Sequence, residues 1–294
     1  MDLHIFEQNS MGTRVTVTMY SLKTKEEAFK SSEKAFAVFR NLERQFSTFS
    51  EDSEISLINK NAGRIVKASP LMLETVEYAL RLATETDGIF NPLVGTLTAP
   101  GGITKKTDPE GYKKIMTNPG AGAISIPAGT ALDLNSIVKG MALDMAMEAI
   151  PEEENIMIEA GGDLRLKGLP PGENFWKIGI RNPLEPAKII TVLNLKEGAI
   201  CTTGGYFRQK KAAEEKRRHL VNPRNNTAEN IAVSMTVIAP TAKEADAIST
   251  AAFFMPTEQA GEFVEKHPGA SCLMIDLKND LFASNRMKSY FPLT

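Results

Sequence analysis

Histidine is scarce in this 294-residue sequence, which holds only His4, His219 and His267. Cysteine is scarcer still: Cys201 and Cys272, with no Cys-x-x-Cys pair. That leaves no basis for a structural zinc centre or a disulfide framework. Both cysteines sit in apolar, strand-like runs and read as buried thiols. Neither a Gly-x-x-x-x-Gly-Lys-Ser/Thr loop nor a Gly-x-Gly-x-x-Gly after a strand occurs, so P-loop and dinucleotide-fold chemistry have no support. The Gly-x-Ser-x-Gly elbow of serine hydrolases is missing as well. No apolar run approaches the roughly 18 residues a membrane helix needs. The formal net charge is only -2, which gives no reason to expect nucleic acid or an anionic membrane as partner. The opening MDLHIFEQNSMG lacks the charged and apolar regions of a signal peptide and has no cysteine to carry a lipid. The chain as written is expected in the cytoplasm, or outside it if a leader has been removed.

What is present is organised around 231-IAVSMTVIAPTAKEADAISTAAFFM-255. Ile231 to Ala239 is β-branched and apolar, suiting a buried strand. Pro240 ends it, and Thr241 with Glu244 forms a Thr-x-x-Glu capping box that starts a helix. Asp246 and Thr250, four residues apart, project from one face of that helix. A carboxylate and a hydroxyl so placed suit a hard cation such as magnesium. The plainer reading of the same spacing is an acidic residue that favours the helix N-terminus and a packed threonine.

In chain order, 13-TRVTVTMY-20 alternates, with Val15, Val17 and Met19 on one face of a strand after a turn at Met11-Gly12-Thr13. Residues 26–46 carry Phe29, Phe36, Phe39, Leu42 and Phe46 at helical spacing, a core stripe. A Ser/Asp/Glu-rich turn follows Phe49. Ser69-Pro70 opens a second helix that stops at Asp87-Gly88. The apolar loop 89-IFNPLVGTLTAPGG-102 must pack on something. Residues 131–150 read as a short strand, a turn at Asn135-Ser136 and a helix. Strands are expected at about 155–159, 164–168, 175–181 and 187–195, and a further turn at 200–208. A helix near 257–266 and a strand at 271–276 close the chain. His4 is expected at a frayed terminus and His267 as a helix cap. Helices mixed with antiparallel hairpins indicate an α+β fold. No repeat, low-complexity linker or internal boundary is visible, so residues 1–294 read as one domain.

Asp133-x-x-Ser136-x-x-Lys139 falls at a strand-to-helix turn, where backbone amides and the helix dipole favour phosphate. The plain alternative is two capping side chains and a solvated lysine. His219, at the mouth of the 231–239 strand, is a candidate general base.

Nine segments, in order, resemble one family, the ApbE-type FAD:protein FMN transferases. They are Met-Gly-Thr (11–13), FSTFSEDSEIS (46–56), DGIFNPLVGTL (87–97), LDLNSIVKG (132–140), AGGDLRLKG (160–168), WKIGIRNP (176–183), CTTGGYFR (201–208), HLVNP (219–223) and EADAISTA (244–251). The resemblance implies an α+β fold with two lobes around an FAD cleft. It implies magnesium-dependent transfer of the FMN half of FAD onto a threonine hydroxyl of a target flavoprotein. Met11, Phe49, Ile89, Phe90, Asn91, Asp133, Lys139 and Val221 fall at its FAD-contacting positions. Ser136, Asp246 and Ser249 or Thr250 fall at its metal positions, and His219 at the position of the base. Asn91 and Asn222 stand where aspartates are usual, Phe49 where tyrosine is frequent, and Gly205 where a polar residue is common. A neutral Asn222 cannot stabilise a charged neighbour as a carboxylate would. The rival readings are therefore a magnesium-dependent FAD pyrophosphatase, releasing FMN and AMP, and a non-catalytic FAD-binding protein.

Overall fold

A computed structural model describes residues 1–98, 108–185, 187–204, 222–224 and 232–292. The chain divides into two compact units. One comprises Met1–Asn41, Lys139–Phe207 and Ile231–Thr294; the other comprises Leu42–Val138 and Arg208–Asn230. Neither is contiguous in sequence, which is why composition along the chain marks no boundary.

The first unit is built on an antiparallel eight-stranded sheet. Its strands are β1 (Asp2–Ser10), β2 (Thr13–Ser21), β6 (Asn155–Ala160), β7 (Asp163–Lys167), β10 (Gly198–Gly204), β11 (Ala232–Ala239), β12 (Ser271–Asp276) and β13 (Leu281–Ala283), in that spatial order. The second unit holds β3 (Val66–Lys67), β4 (Met116–Asn118) and β5 (Ala123–Ser125), a separate three-stranded sheet in the order β3-β5-β4. The hairpin of β8 (Trp176–Arg181) and β9 (Ile189–Leu195) forms a sheet of its own.

Alternation explains how the large sheet is covered. In the β10–β11 register, Ile200 faces Ile238 and Cys201 faces Val237. The first pair joins Trp176, Ile180, Leu193 and Leu195 of the hairpin in one buried cluster. The second lies on the opposite face, where the Cys201 thiol donates to the carbonyl of Ala242 at 3.6 Å. Ala242 opens a helix, Ala242–Ala252, that packs on β10 and β11. A strand covered on both faces reads as a near-continuous apolar run rather than an alternating one. Ala232–Ala239 does, with only Val233 short of full burial.

Among the described residues the α-helices, in chain order, are α1 (Lys25–Phe46), α2 (Glu54–Lys60), α3 (Pro70–Glu85), α4 (Gly95–Thr98), α5 (Asn135–Glu148), α6 (Ala242–Ala252) and α7 (Thr257–Lys266). Their caps follow the sequence. Ser69 accepts from the Met72 N–H with Pro70 in the first turn, and Thr241 accepts from Glu244 N–H, each satisfying an N-terminal amide the helix leaves open. At the end of α3, Asp87 and Gly88 both take positive φ, and the Gly88 N–H returns to Ala83 O at 2.8 Å, closing the helix with a left-handed turn. Among the described residues no helix is long and apolar enough to cross a membrane.

Several expectations need correction. His4 is not at a frayed end: it lies within β1, buried, with Nε2 3.2 Å from Lys23 O. The segment read as a turn at 200–208 begins with β10, a central strand paired to both β7 and β11. Its Thr-Thr-Gly-Gly composition suggests a turn, but two neighbouring strands supply the ladder. The Ser/Asp/Glu turn expected after Phe49 is present at 51–53 and leads into α2, with Ser53 as N-cap. The short strand expected near 131 reduces to one parallel bridge, Ala131 to Val94. Phe29 also leaves the core stripe: it is half-exposed and meets Phe6 edge-on, with ring centroids 5.6 Å apart.

Candidate functional site

In the second unit, the apolar loop 89–98 is stitched to the entrance of α5. Asp133 N–H donates to Pro92 O at 2.9 Å, Ala131 N–H to Thr96 Oγ1 at 3.1 Å, and Thr98 Oγ1 to Asp133 Oδ2 at 2.8 Å. Asn59 pairs with both backbone groups of Leu132, donating at 3.0 Å and accepting at 2.7 Å, as a neighbouring strand would. Gly95 is obligatory here: a Cβ would stand 2.6 Å from Leu132 O.

These bonds assign the predicted residues of this unit. Phe90 and Asn91 are buried at 4% and 3%, and Asn91 spends its amide on Pro109 O and Leu93 N–H. Phe90 is therefore a core ring, while Ile89, Val94, Leu97 and Thr98 are half-buried. Phe49, by contrast, is 63% exposed. Asp133 uses Oδ1 to accept Asn135 N–H at 3.0 Å, so it shapes the turn into α5. Ser136 is half-buried in the first turn. Asn222 accepts from Arg224 N–H at 3.0 Å. His219, Val221 and Gly205 lie outside the described residues.

In the first unit, Met11 sits at the β1–β2 turn with φ of 53°. The remaining predicted residues of this unit come together where α5, α6, β7 and β10 meet. Gly140 lets the two helices approach: any Cβ there would overlap the carbonyl of Ala242. Across this contact Gly140 N–H donates to Asp246 Oδ2 at 3.1 Å. Four residues on, Asp144 accepts the N–H groups of Ala242 at 2.9 Å and Lys243 at 2.8 Å, capping α6 from outside. Burial pushes the Asp144 carboxyl up, against those two donors and the Arg165 guanidinium, which is 3.0 Å away.

Lys139 is not solvated. Its ammonium pairs directly with Asp163 Oδ2 and lies 3.6 Å from Asp246 Oδ2. Asp163, at the start of β7, is 2% exposed and accepts Thr202 N–H on its other oxygen at 2.9 Å. Asp163 and Arg165, two apart on β7, thus present opposite charges to Lys139 and Asp144 of α5.

Ser249 and Thr250 separate on this geometry. Both hydroxyls donate to Asp246 O, at 2.9 and 3.1 Å. Ser249 is fully buried, its Oγ 2.7 Å from Thr203 Oγ1. Thr250 is half-buried and only 3.4 Å from the same Thr203 oxygen. With one proton each, and both spent on the carbonyl, Thr203 donates to Ser249. Thr250 keeps the more accessible lone pairs.

The donors on α6 are hard oxygens, a carboxylate and a hydroxyl, of the type magnesium takes. Among the described residues there is no group of three His, Cys, Asp or Glu able to hold a metal ion. The nearby Cys201 is no soft rival. Burial, and then the Asp246 charge, push its thiol well up despite Lys139, so it stays protonated. Sequence reasoning missed Asp144, Asp163 and Thr203. An aspartate directly after a Gly-Gly turn and opening a strand was the available signal for Asp163; the other two had none.

The ApbE family model matches residues 11–274. The chain is 26% identical to the FAD:protein FMN transferase of Haemophilus influenzae, over 90% of this chain and 84% of that one. It is 24% identical to the FAD:protein FMN transferase of Treponema pallidum, over 90% and 82%. Among solved structures, the ApbE protein of Thermotoga maritima superposes with a TM-score of 0.85 at 26% identity, covering 99% of this chain and 100% of that one. The flavin transferase ApbE of Vibrio cholerae gives 0.82 at 24% identity, covering 99% of each, a likeness of fold. A match over almost the whole chain, on the same α+β framework, makes this protein a member of the ApbE family.

Proposed function

We propose that this protein is an FAD:protein FMN transferase that uses magnesium to move the FMN half of FAD onto a threonine hydroxyl of an acceptor flavoprotein. The observation that carries this reading is the oxygen-donor face of α6, beside Lys139, in a chain matched to the family from residue 11 to 274.

Asp246 and Thr250 would hold magnesium, which supplies positive charge to the pyrophosphate oxygens when bound; Ser136 is a metal position by the family resemblance alone. Ser136 and Lys139, in the first turns of α5, take the pyrophosphate, Lys139 adding charge to the backbone amides there. The exposed Phe49 ring offers a face for a flat ring system, with Ile89, Met11, Asp133, Val221 and the backbone of Phe90 and Asn91 as further FAD contacts. His219 accepts the proton of the acceptor threonine as its oxygen bonds to the FMN phosphorus. The bond from that phosphorus to the bridging oxygen breaks, and AMP leaves. Positioning and charge do most of such a reaction.

The test is incubation with FAD and magnesium, with and without an acceptor peptide. FMN bound covalently to the peptide, with AMP released, supports transfer. Free FMN with AMP, with or without peptide, would make the protein a pyrophosphatase, and intact FAD would make it a carrier.

A further inference from the structure

We infer that Asp163 is a positioning residue, which keeps the Lys139 ammonium from taking the place of the cation at Asp246. This rests on the reading that Asp246 binds magnesium.

Among the described residues Lys139 has two carboxylates within ion-pair distance, and they are not equivalent. Asp163 is in direct contact, while Asp246 stands 3.6 Å off. Asp163 is also the more firmly held: its Oδ1 is fixed by the backbone of β10 through Thr202 N–H. It starts β7 straight after Gly161 and Gly162, both at positive φ, and it is almost wholly shielded from water. Asp246 Oδ2 takes the Gly140 N–H, and so stays within reach of the residue next to Lys139 in α5. An ammonium and a metal ion compete for one carboxylate, because each neutralises the charge the other needs. With Asp163 ionised, the lysine is drawn to the strand and Asp246 keeps its charge for the metal. Were Asp163 neutral, Asp246 would be the remaining anion beside the ammonium in this cluster, and the lysine would close on it.

Asp163 touches neither metal nor substrate in this scheme, so the test must separate its effect on the lysine from any effect on the fold. Manganese serves as the probe, since it accepts the same oxygen ligands. Its binding to the FAD-free protein is followed by the paramagnetic resonance of the free ion. Asp163→Asn is expected to weaken manganese binding by about tenfold, the scale on which a neighbouring charge acts on a carboxylate. Lys139→Met should bind manganese more tightly than wild type. The double variant Asp163→Asn/Lys139→Met should match Lys139→Met, because the carboxylate matters only while the lysine is there. Wild-type affinity in Asp163→Asn, or a double variant as weak as Asp163→Asn, would overturn the inference. If Asp163→Asn does not fold, Lys139→Met decides: tighter binding supports the inference, and equal or weaker binding overturns it. Asp246→Asn separates the two readings. If it binds manganese as wild type does, the magnesium reading itself fails and takes this inference with it.

Discussion

Gly140 on α5 and Ala242 on α6 touch backbone to backbone: a methyl group on the glycine would overlap the Ala242 carbonyl. The same contact carries the Gly140 N–H to Asp246 and the Asp144 carboxylate to the first turn of α6. The candidate metal ligand therefore sits at a helix crossing too close to admit a Cβ at Gly140. Gly140→Ala should force the helices apart and cost about 1–3 kcal/mol, the range for overpacking a filled interior. Urea unfolding checks it, and a midpoint within error of wild type would show that the crossing yields freely.

Asp246→Asn keeps the shape of the side chain and an oxygen that can accept the Gly140 N–H, but it removes the charge. The fold is expected to survive while the magnesium concentration for half-maximal activity rises about tenfold or more, since magnesium holds a carboxylate through charge as well as geometry. Excess magnesium should restore part of the rate by mass action. Activity titrated against magnesium is the measurement, and unchanged half-saturation would return Asp246 to a purely structural role.

The neighbouring hydroxyls should behave differently from one another. Thr250→Val is expected to raise the magnesium requirement by a smaller factor, with little change in stability. Ser249→Ala removes a fully buried hydroxyl bonded to Thr203 and to the helix carbonyl. It should cost about 1 kcal/mol of stability and leave magnesium half-saturation near wild type. The reverse pattern in paired unfolding and magnesium titrations would make Ser249 the ligand.

His219→Ala should leave FAD bound and slow single-turnover transfer by roughly 10²–10⁴-fold, the range for a positioned base. Transfer at close to the wild-type rate would remove the histidine from the chemistry.

Alkaline stability should reflect the buried thiols. Burial raises the Cys272 thiol from 9.0 to about 11. A group whose folded value is raised contributes stability that is complete below its unfolded value and disappears as pH climbs through the folded one. Stability should therefore fall between about pH 9 and 11, with roughly 2–3 kcal/mol of that fall due to this residue. Cys272→Ala should flatten the fall in denaturation curves across that window; an identical slope would show that other groups cause it.

Local pattern was enough wherever a segment's own chemistry decided its conformation. Val15, Val17 and Met19 alternate because β2 hides one face, and all three are buried. Ser69-Pro70 and Thr241 with Glu244 start helices because they satisfy the amides those helices leave open. The turn at 160–163 follows from glycines free to take positive φ. Asp246 and Thr250 share a helix face for the same local reason, and so they could be paired from spacing alone. The order of the family's segments pointed to the fold before any contact was known.

Where a distant partner decided the outcome, local pattern misled or was silent. β1 hides His4 and Ser10, half-buries Phe6 and leaves Leu3 and Ile5 exposed, so two of its three apolar residues lie on the open face and alternation alone does not mark it as a strand. Thr202 and Thr203 are strand because β7 and β11 flank them. In sequence Lys139 reads equally as a phosphate contact or a solvated side chain; its pairing with Asp163, 24 positions away, and its nearness to Asp246, 107 away, come only from the fold. Ser249 and Thr250 are neighbouring hydroxyls in sequence, and only the fold separates them: Ser249 is fully buried and 2.7 Å from Thr203 Oγ1, Thr250 half-buried and 3.4 Å from it. The sequence alone determined which side chains each helix and turn could present. The tertiary structure decided which of them share charge, because Coulomb and hydrogen-bond energies depend on distances that separation along the chain does not encode.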